Sequence, residues 1–172
     1  LRTLDIFLTT LVRDAGRLPD RFFITLPKVS AVDQVTAFVD AVEQLEPRLG
    51  LPARSLRFET MVETPQLIVD ETGRSLLPSL IDAARGRLTA AHFGTYDYTA
   101  SLDITASHQH MAHPACDFAK DVLKVSLAGT GVRLSDGATN IMPVGDRATI
   151  HAAWRLHYEH VRHSLETAYY QG

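Results

Sequence analysis

Arg87-Leu88-Thr89-Ala90-Ala91-His92-Phe93-Gly94-Thr95-Tyr96-Asp97 is the stretch whose reading decides the fold. A short apolar run ends at Phe93, a glycine follows at once, and small polar and acidic residues follow the glycine. That is the form of a buried strand that turns directly into a loop or helix. Three other stretches share it: Phe22 to Leu26, Ser55 to Val62 and Val132 to Leu134. The four runs begin near residues 22, 56, 88 and 131, so they lie 34, 32 and 43 residues apart, the size of one strand-plus-helix unit.

The segments between the runs carry helical spacing. Leu4, Phe7, Leu8, Leu11, Val12 and Ala15 share one helix face over residues 3–16, and Gly16 suits the left-handed residue that ends it. Ser30, with Asp33 three residues on, predicts the cap of a second helix. That helix has Val32, Val35, Phe38, Val39, Val42 and Leu45 on one face and should stop near Pro47 to Gly50. Leu76, Leu77, Leu80 and Ile81 predict a helix over about 74–84, and Pro114 suits the first turn of one over His113 to Ala128. A last helix is expected over Arg147 to Tyr169, with Trp154, Tyr158, Val161, Leu165 and Tyr169 on one stripe that is either core or an oligomer face.

Strict alternation of strand and helix predicts a parallel sheet in a single α/β domain spanning 1–172. Two closures are open: a doubly wound sheet, or an eight-stranded TIM barrel. A complete barrel takes roughly 200–250 residues, so four units in 172 residues are about half of one.

Composition narrows the function classes. Lys plus Arg number 17 against 20 Asp plus Glu, a net charge of −3, which disfavours nucleic acid as a partner. An apolar fraction of 45% at so small a net charge excludes an intrinsically disordered chain. No apolar stretch is long enough to span a membrane, and Leu1 to Thr10, with Asp5 inside its apolar run, does not read as a signal peptide. Cys116 is the single cysteine, so no intramolecular disulfide can form, and a cytoplasmic location is expected.

In parallel α/β folds the chemistry collects at the carboxyl ends of the strands. After the four runs stand Pro27 and Lys28; Glu63 and Thr64, with Glu59 earlier in the strand; Gly94, Thr95, Tyr96 and Asp97; and Ser135, Asp136, Gly137, Thr139 and Asn140. Two carboxylates from neighbouring strand ends make a hard-oxygen site of the kind Mg²⁺ takes. The plainer alternative is that Glu63 and Asp97 cap helices or sit in surface ion pairs. Gly94 would let backbone approach a ligand closely, or would simply begin a βα turn. His108, His110 and His113 could suggest zinc, but they straddle a loop and a proline-started helix without supporting cysteines, and no zinc is expected. Cys116 stands where a helix dipole would lower a thiol pKa, yet a small buried residue is the favoured reading.

Leu26-Pro27-Lys28-Val29, then Val62-Glu63-Thr64, then Phe93-Gly94-Thr95-Tyr96-Asp97-Tyr98 resemble, in that order, the citrate-lyase β-subunit and HpcH/HpaI aldolase superfamily of phosphoenolpyruvate/pyruvate-type barrels. The chain is most similar to an actinobacterial-type branch labelled aldolase or phosphoenolpyruvate-kinase-like. Arg2-Thr3-Leu4-Asp5, Phe58-Glu59, Ala128 to Gly137 and Pro143-Val144-Gly145 extend the resemblance over nearly the whole chain.

The resemblance implies a TIM barrel of which this chain is the middle-to-late half, and a lyase or aldolase activity dependent on Mg²⁺ or Mn²⁺. Glu63 and Asp97 would be the metal ligands. The backbone of Gly94, Thr95 and Tyr96 would hold the substrate carboxylate, and Lys28 would line the site. The reaction would make or break a carbon–carbon bond through an enolate of a 2-oxo acid or acyl thioester, including a CoA thioester, in a homo-oligomer. Departures from the family pattern are the gap of 34 between Glu63 and Asp97, with Asp70 to Ser75 as the insertion, and the lack of a residue matching the substrate-carboxylate arginine. A further strand is also expected beyond Gly172. A non-catalytic binding relative, or phosphoryl transfer on a phosphoenolpyruvate-like substrate, are the competing functions.

Overall fold

The computed structural model describes residues 2–167. Its elements run α1 (Arg2–Ala15), β1 (Phe23–Leu26), α2 (Val32–Arg48), β2 (Arg57–Val62), α3 (Pro65–Ile68), α4 (Leu77–Ala83), β3 (Leu88–Phe93), α5 (Thr95–Ser101), α6 (Pro114–Leu127), β4 (Arg133–Ser135) and α7 (Arg147–Glu166). The expected strands are all present within a residue or two. The part of the last helix beyond 167, with Tyr169, lies outside the described residues.

All three strand pairs are parallel, and the spatial order is β1-β2-β3-β4, the order of the chain. A doubly wound sheet reverses its strand order at a switch point. No reversal occurs among the described strands. Each crossover instead advances one strand in the same direction, which stacks the helices side by side on one face.

The burial pattern agrees. On β2, Phe58, Thr60 and Val62 are buried, while Arg57, Glu59 and Met61 are not. Phe58, Val62, Ala91, Phe93 and Leu134 form one core with Val35, Phe38, Val39 and Val42 of α2, Leu77 and Leu80 of α4, and Ala119, Leu123 and Leu127 of α6. Phe38 and Phe58 meet edge to face at 5.0 Å. Each fully buried large side chain here contributes about 1.5–3 kcal/mol.

Strand register places the other face in layers. Thr25, Glu59, Ala90 and Arg133 lie side by side, and Met61, His92 and Ser135 form the next layer toward the carboxyl ends. None of these residues belongs to the hydrophobic core under the helices. At the β4 edge, Leu134 is buried under the helices, while Arg133 and Ser135 take the other side, so this edge presents polar side chains.

Local signals were partly displaced. The α2 cap is Ala31, not Ser30: the Gln34 Oε1 accepts from the amides of Ser30 at 2.7 Å and Ala31 at 3.1 Å. Asp70 Oδ1 accepts from the amides of Thr72 and Arg74, closing the 70–74 segment into a tight turn. Those bonds, the Arg74 amide foremost, hold the Asp70 carboxyl below its ordinary range. Cys116 is buried, and burial pushes its thiol up to about 11, against the dipole effect expected at a helix start.

Thr60 is buried among apolar neighbours, and its hydroxyl has no partner among the described residues. An unsatisfied buried hydroxyl costs about 1–3 kcal/mol. Thr60→Val keeps the shape and removes the cost, so the variant is expected to melt a few degrees higher, as read by calorimetry; a lower melting temperature would show that the hydroxyl is satisfied.

Candidate active site

The site assembles at the carboxyl ends of β1, β2 and β3. Lys28 follows β1 in the left-handed region, with φ of 56°, which turns its amide toward the end of β2. That amide donates to Glu63 Oε1 at 2.6 Å. One residue on, the Thr64 hydroxyl donates to the Val29 carbonyl at 2.7 Å. The Pro-Lys-Val and Glu-Thr segments are therefore locked together.

Asp97 enters from the first turn of α5. The Lys28 ammonium donates to Asp97 Oδ2 and lies 3.8 Å from Glu63 Oε2. The two carboxyl groups are also within hydrogen-bonding reach of each other. Glu63 is buried and Asp97 half-exposed. Burial, and then the neighbouring Asp97, push the Glu63 carboxyl up, against the opposing pull of the Lys28 amide. The Lys28 hydrogen bond pulls Asp97 down, and the same bond raises Lys28.

Gly94 has no room for a side chain. A Cβ there would stand 2.5 Å from the Glu63 Cβ and 3.3 Å from the Met61 Cγ. Its amide donates to the Val62 carbonyl at 2.8 Å, so that donor is spent on the sheet and is not available to a substrate carboxylate. Only the Thr95 and Tyr96 amides, in the first turn of α5, remain of the expected three. The Thr95 hydroxyl is buried with no partner among the described residues, and Gly137 packs so closely on it that a Cβ would stand 2.4 Å away. The Tyr96 hydroxyl donates to the Ala138 carbonyl at 2.9 Å, tying α5 to the segment after β4.

The structure thus brings Lys28, Glu63 and Asp97 into contact and sets Gly94, Thr95 and Tyr96 beside them. Glu59 lies on the same face lower down, where the Thr25 hydroxyl donates to it at 2.8 Å. The histidines do not join the site: His113 caps α6, accepting from the Ala115 amide at 3.1 Å, and its ring lies 5.9 Å from that of His110. Asp136 turns toward the helices, paired at 3.3 Å with the fully buried Lys120 and accepting from Ser164. Sequence reasoning missed Lys120, whose spacing on α6 matches the apolar stripe although its type does not. It also missed the pair His92 and Ser135, whose polar atoms meet at 2.9 Å on the face opposite the hydrophobic core; their places on successive strands were the available signal.

Does this donor set fit a divalent cation? Two carboxylates converge from neighbouring strand ends, and a cation, the Lys28 ammonium, already stands between them. The Lys28 side chain is mostly exposed and free to swing away. A carboxyl group raised by burial and by a like-charged neighbour is one that a bound cation returns to its ionised form. The residues fit Mg²⁺, with water and substrate oxygens completing its shell.

A family model described as "Domain of unknown function (DUF6986)" matches residues 1–172. The chain belongs to this family. A search of curated proteins finds no match. Among solved structures, the chain is similar to a citrate lyase from Burkholderia xenovorans LB400, with 23% identity and a TM-score of 0.62 over 90% of this chain and 47% of that one. It is also similar to Haloferax volcanii malate synthase. The magnesium/glyoxylate complex aligns at 18% identity and a TM-score of 0.59, covering 87% of this chain and 43% of that one. The pyruvate/acetyl-CoA ternary complex aligns at 19% and 0.59, covering 87% and 40%. At these identities the likeness concerns the fold. The chain spans less than half the length of each of these structures. No helix among the described residues is long and apolar enough to cross a membrane.

Proposed function

We propose that this chain is about half of a TIM barrel and carries the metal-binding part of a Mg²⁺-dependent carbon–carbon lyase or aldolase. The substrate is a small carboxylate, a 2-oxo acid or an acyl thioester such as a CoA thioester. The observation that carries the reading is the convergence of Glu63 and Asp97, from adjacent strand ends, on the Lys28 ammonium.

Glu63 and Asp97 would hold the ion. When bound, it supplies Lewis-acid polarisation of the substrate carbonyl, which lowers the cost of an enolate. The Thr95 and Tyr96 amides at the start of α5 orient the substrate carboxylate. Lys28 gives up its place between the carboxylates and offers its ammonium to the same negative charge.

The barrel reading is supported by the strand order and by the edges. Among the described residues β1 pairs only with β2, and beside its open edge runs an apolar cleft of about 740 Å³ lined by Leu4, Phe7, Ile24, Leu26 and Phe38. An unpaired apolar edge is a place for another strand. Trp154, Tyr158, Val161 and Leu165 are all exposed on α7. Of the two readings of that stripe, core is excluded within the described residues, and it would pack on the rest of the barrel or on a second subunit.

The test is deuterium exchange at the carbon beside the carbonyl of pyruvate and of acetyl-CoA, followed by NMR in D₂O with the full-length protein. Mg²⁺-dependent exchange is expected. No exchange with either compound, with or without the metal, would end this reading; transfer of phosphate from phosphoenolpyruvate without exchange would replace it.

A further inference from the structure

We propose that His92 is the group that carries the substrate proton, acting through its Nε2. This rests on the function proposed above. Strand register sets His92 beside Met61 and Ser135, one layer below Glu63 and Gly94, on the face opposite the hydrophobic core. Two residues along a strand are about 6.6 Å, so His92 sits one layer below the strand ends that carry Glu63 and Gly94. It is half-buried, open to the space the site faces.

The hydrogen bonds of this pair accommodate the tautomer that a base acting through Nε2 needs. His92 Nδ1 lies 2.9 Å from Ser135 Oγ. The other partner of that hydroxyl is the Asp136 carbonyl, at 3.5 Å. In the tautomer whose Nδ1–H donates to the serine oxygen, that carbonyl is the acceptor for the serine proton. The Nε2 lone pair is then free, and it has no partner among the described residues.

The other titratable groups around this face are engaged. Thr25 bonds to Glu59 in the layer below; Lys28, Glu63 and Asp97 bind one another above; Asp136 is turned to Lys120 and Ser164. Arg133, in the lower layer of β4, is cationic and cannot serve as a base. His92 faces the site with its Nε2 unpartnered among the described residues.

The step balances simply. Nε2 takes the proton from the carbon beside the substrate carbonyl, and the C–H pair becomes the enolate double bond. His92 becomes an imidazolium that keeps its Nδ1 proton on Ser135. The reverse step returns a proton, or a deuteron from D₂O, to the carbon.

The experiment compares His92→Asn, His92→Gln and Ser135→Ala with the wild type in the full-length protein, using pyruvate and acetyl-CoA exchange, with Mn²⁺ binding as the measure of an intact site. The His92 variants should lose about 10²–10⁴-fold in exchange. Ser135→Ala should lose less, about tenfold, because it frees the ring without removing the base. Mn²⁺ should bind all three as tightly as the wild type. Exchange within threefold of wild type in both His92 variants would overturn the role of His92 while leaving the proposed function standing. Parallel loss of exchange and Mn²⁺ binding in both would make His92 a structural residue and also overturn it. A wild type that exchanges neither compound would remove the proposed function itself.

Discussion

Glu46→Ala is expected to cost about 3–5 kcal/mol of stability, a fall in melting temperature of about 10 °C or more in the full-length protein. Glu46 lies on α2 with its carboxylate almost wholly buried against Arg87. Its oxygens accept from Arg87 Nη1 at 2.6 Å and Nη2 at 3.0 Å, and from the amides of Leu56 at 2.9 Å and Arg54 at 3.0 Å. Removing it leaves the buried guanidinium with only the Glu43 carboxylate at 3.6 Å and the Leu56 carbonyl at 3.1 Å, and takes the acceptor from two amides at once, which is why the expected loss exceeds that of an ordinary surface ion pair. The contact also ties α2 to the segment before β2 and to the start of β3, the two strands that present Glu63 and Gly94.

The same carboxylate sets a pH dependence. Burial would raise its pKa, but the Arg87 hydrogen bonds, then those of Leu56 and Arg54, outweigh burial and hold it below its ordinary value of 4.5. A depressed carboxyl contributes stability above its unfolded pKa and loses it as pH falls through the folded one. Wild-type stability should therefore decline as pH drops below about 4.5, and Glu46→Gln should flatten that part of the decline. Chemical denaturation at stepped pH reads both. A Glu46→Ala loss under 1 kcal/mol, or an unchanged slope in Glu46→Gln, would show that the ion pair contributes little.

Glu63→Gln and Asp97→Asn are each expected to reduce Mg²⁺-dependent exchange by about a thousandfold, the equivalent of several kcal/mol of transition-state stabilisation. Both changes keep the shape and an accepting oxygen, so the Lys28 amide keeps its partner and the fold should be spared. They are told apart from the His92 variants by the metal: carboxylate variants lose it, histidine variants keep it. Activity within tenfold of wild type in either variant would remove that residue from the site.

How far the sequence carried this account varies by element. The strands were legible because each is a compact apolar run ended by a turn residue, and the rim was legible because polar residues follow each run. Phe93-Gly94 could be placed from the chain alone, yet α5 could not: Thr95-Tyr96-Asp97-Tyr98-Thr99 has poor helix formers and no apolar stripe. What starts that helix is the Gly94 carbonyl, which accepts from the Tyr98 amide at 3.1 Å, together with burial of Tyr98 against Phe93. The α2 cap slipped by one residue because Gln34, not Asp33, reaches back to the chain before it. Glu46 and Lys120 were invisible for the opposite reason: a charged residue in a helix is expected to face water, and only the fold brings Arg87 and Asp136 to cover them. Strand order is a long-range fact that no local pattern encodes. The short motifs around Glu63 and Asp97 mark residues that the fold brings together with Lys28, while the spending of the Gly94 amide on Val62 and the pairing of His92 with Ser135 depend on register between strands.

The central claim is that Glu63 and Asp97 share one divalent cation, and the most direct measurement is Mn²⁺ binding by electron paramagnetic resonance to the full-length protein and to Glu63→Gln and Asp97→Asn. The account predicts one tightly held Mn²⁺ per wild-type chain, displaced by Mg²⁺, and none in either variant. A wild type that binds no Mn²⁺, or variants that bind it as the wild type does, would contradict it.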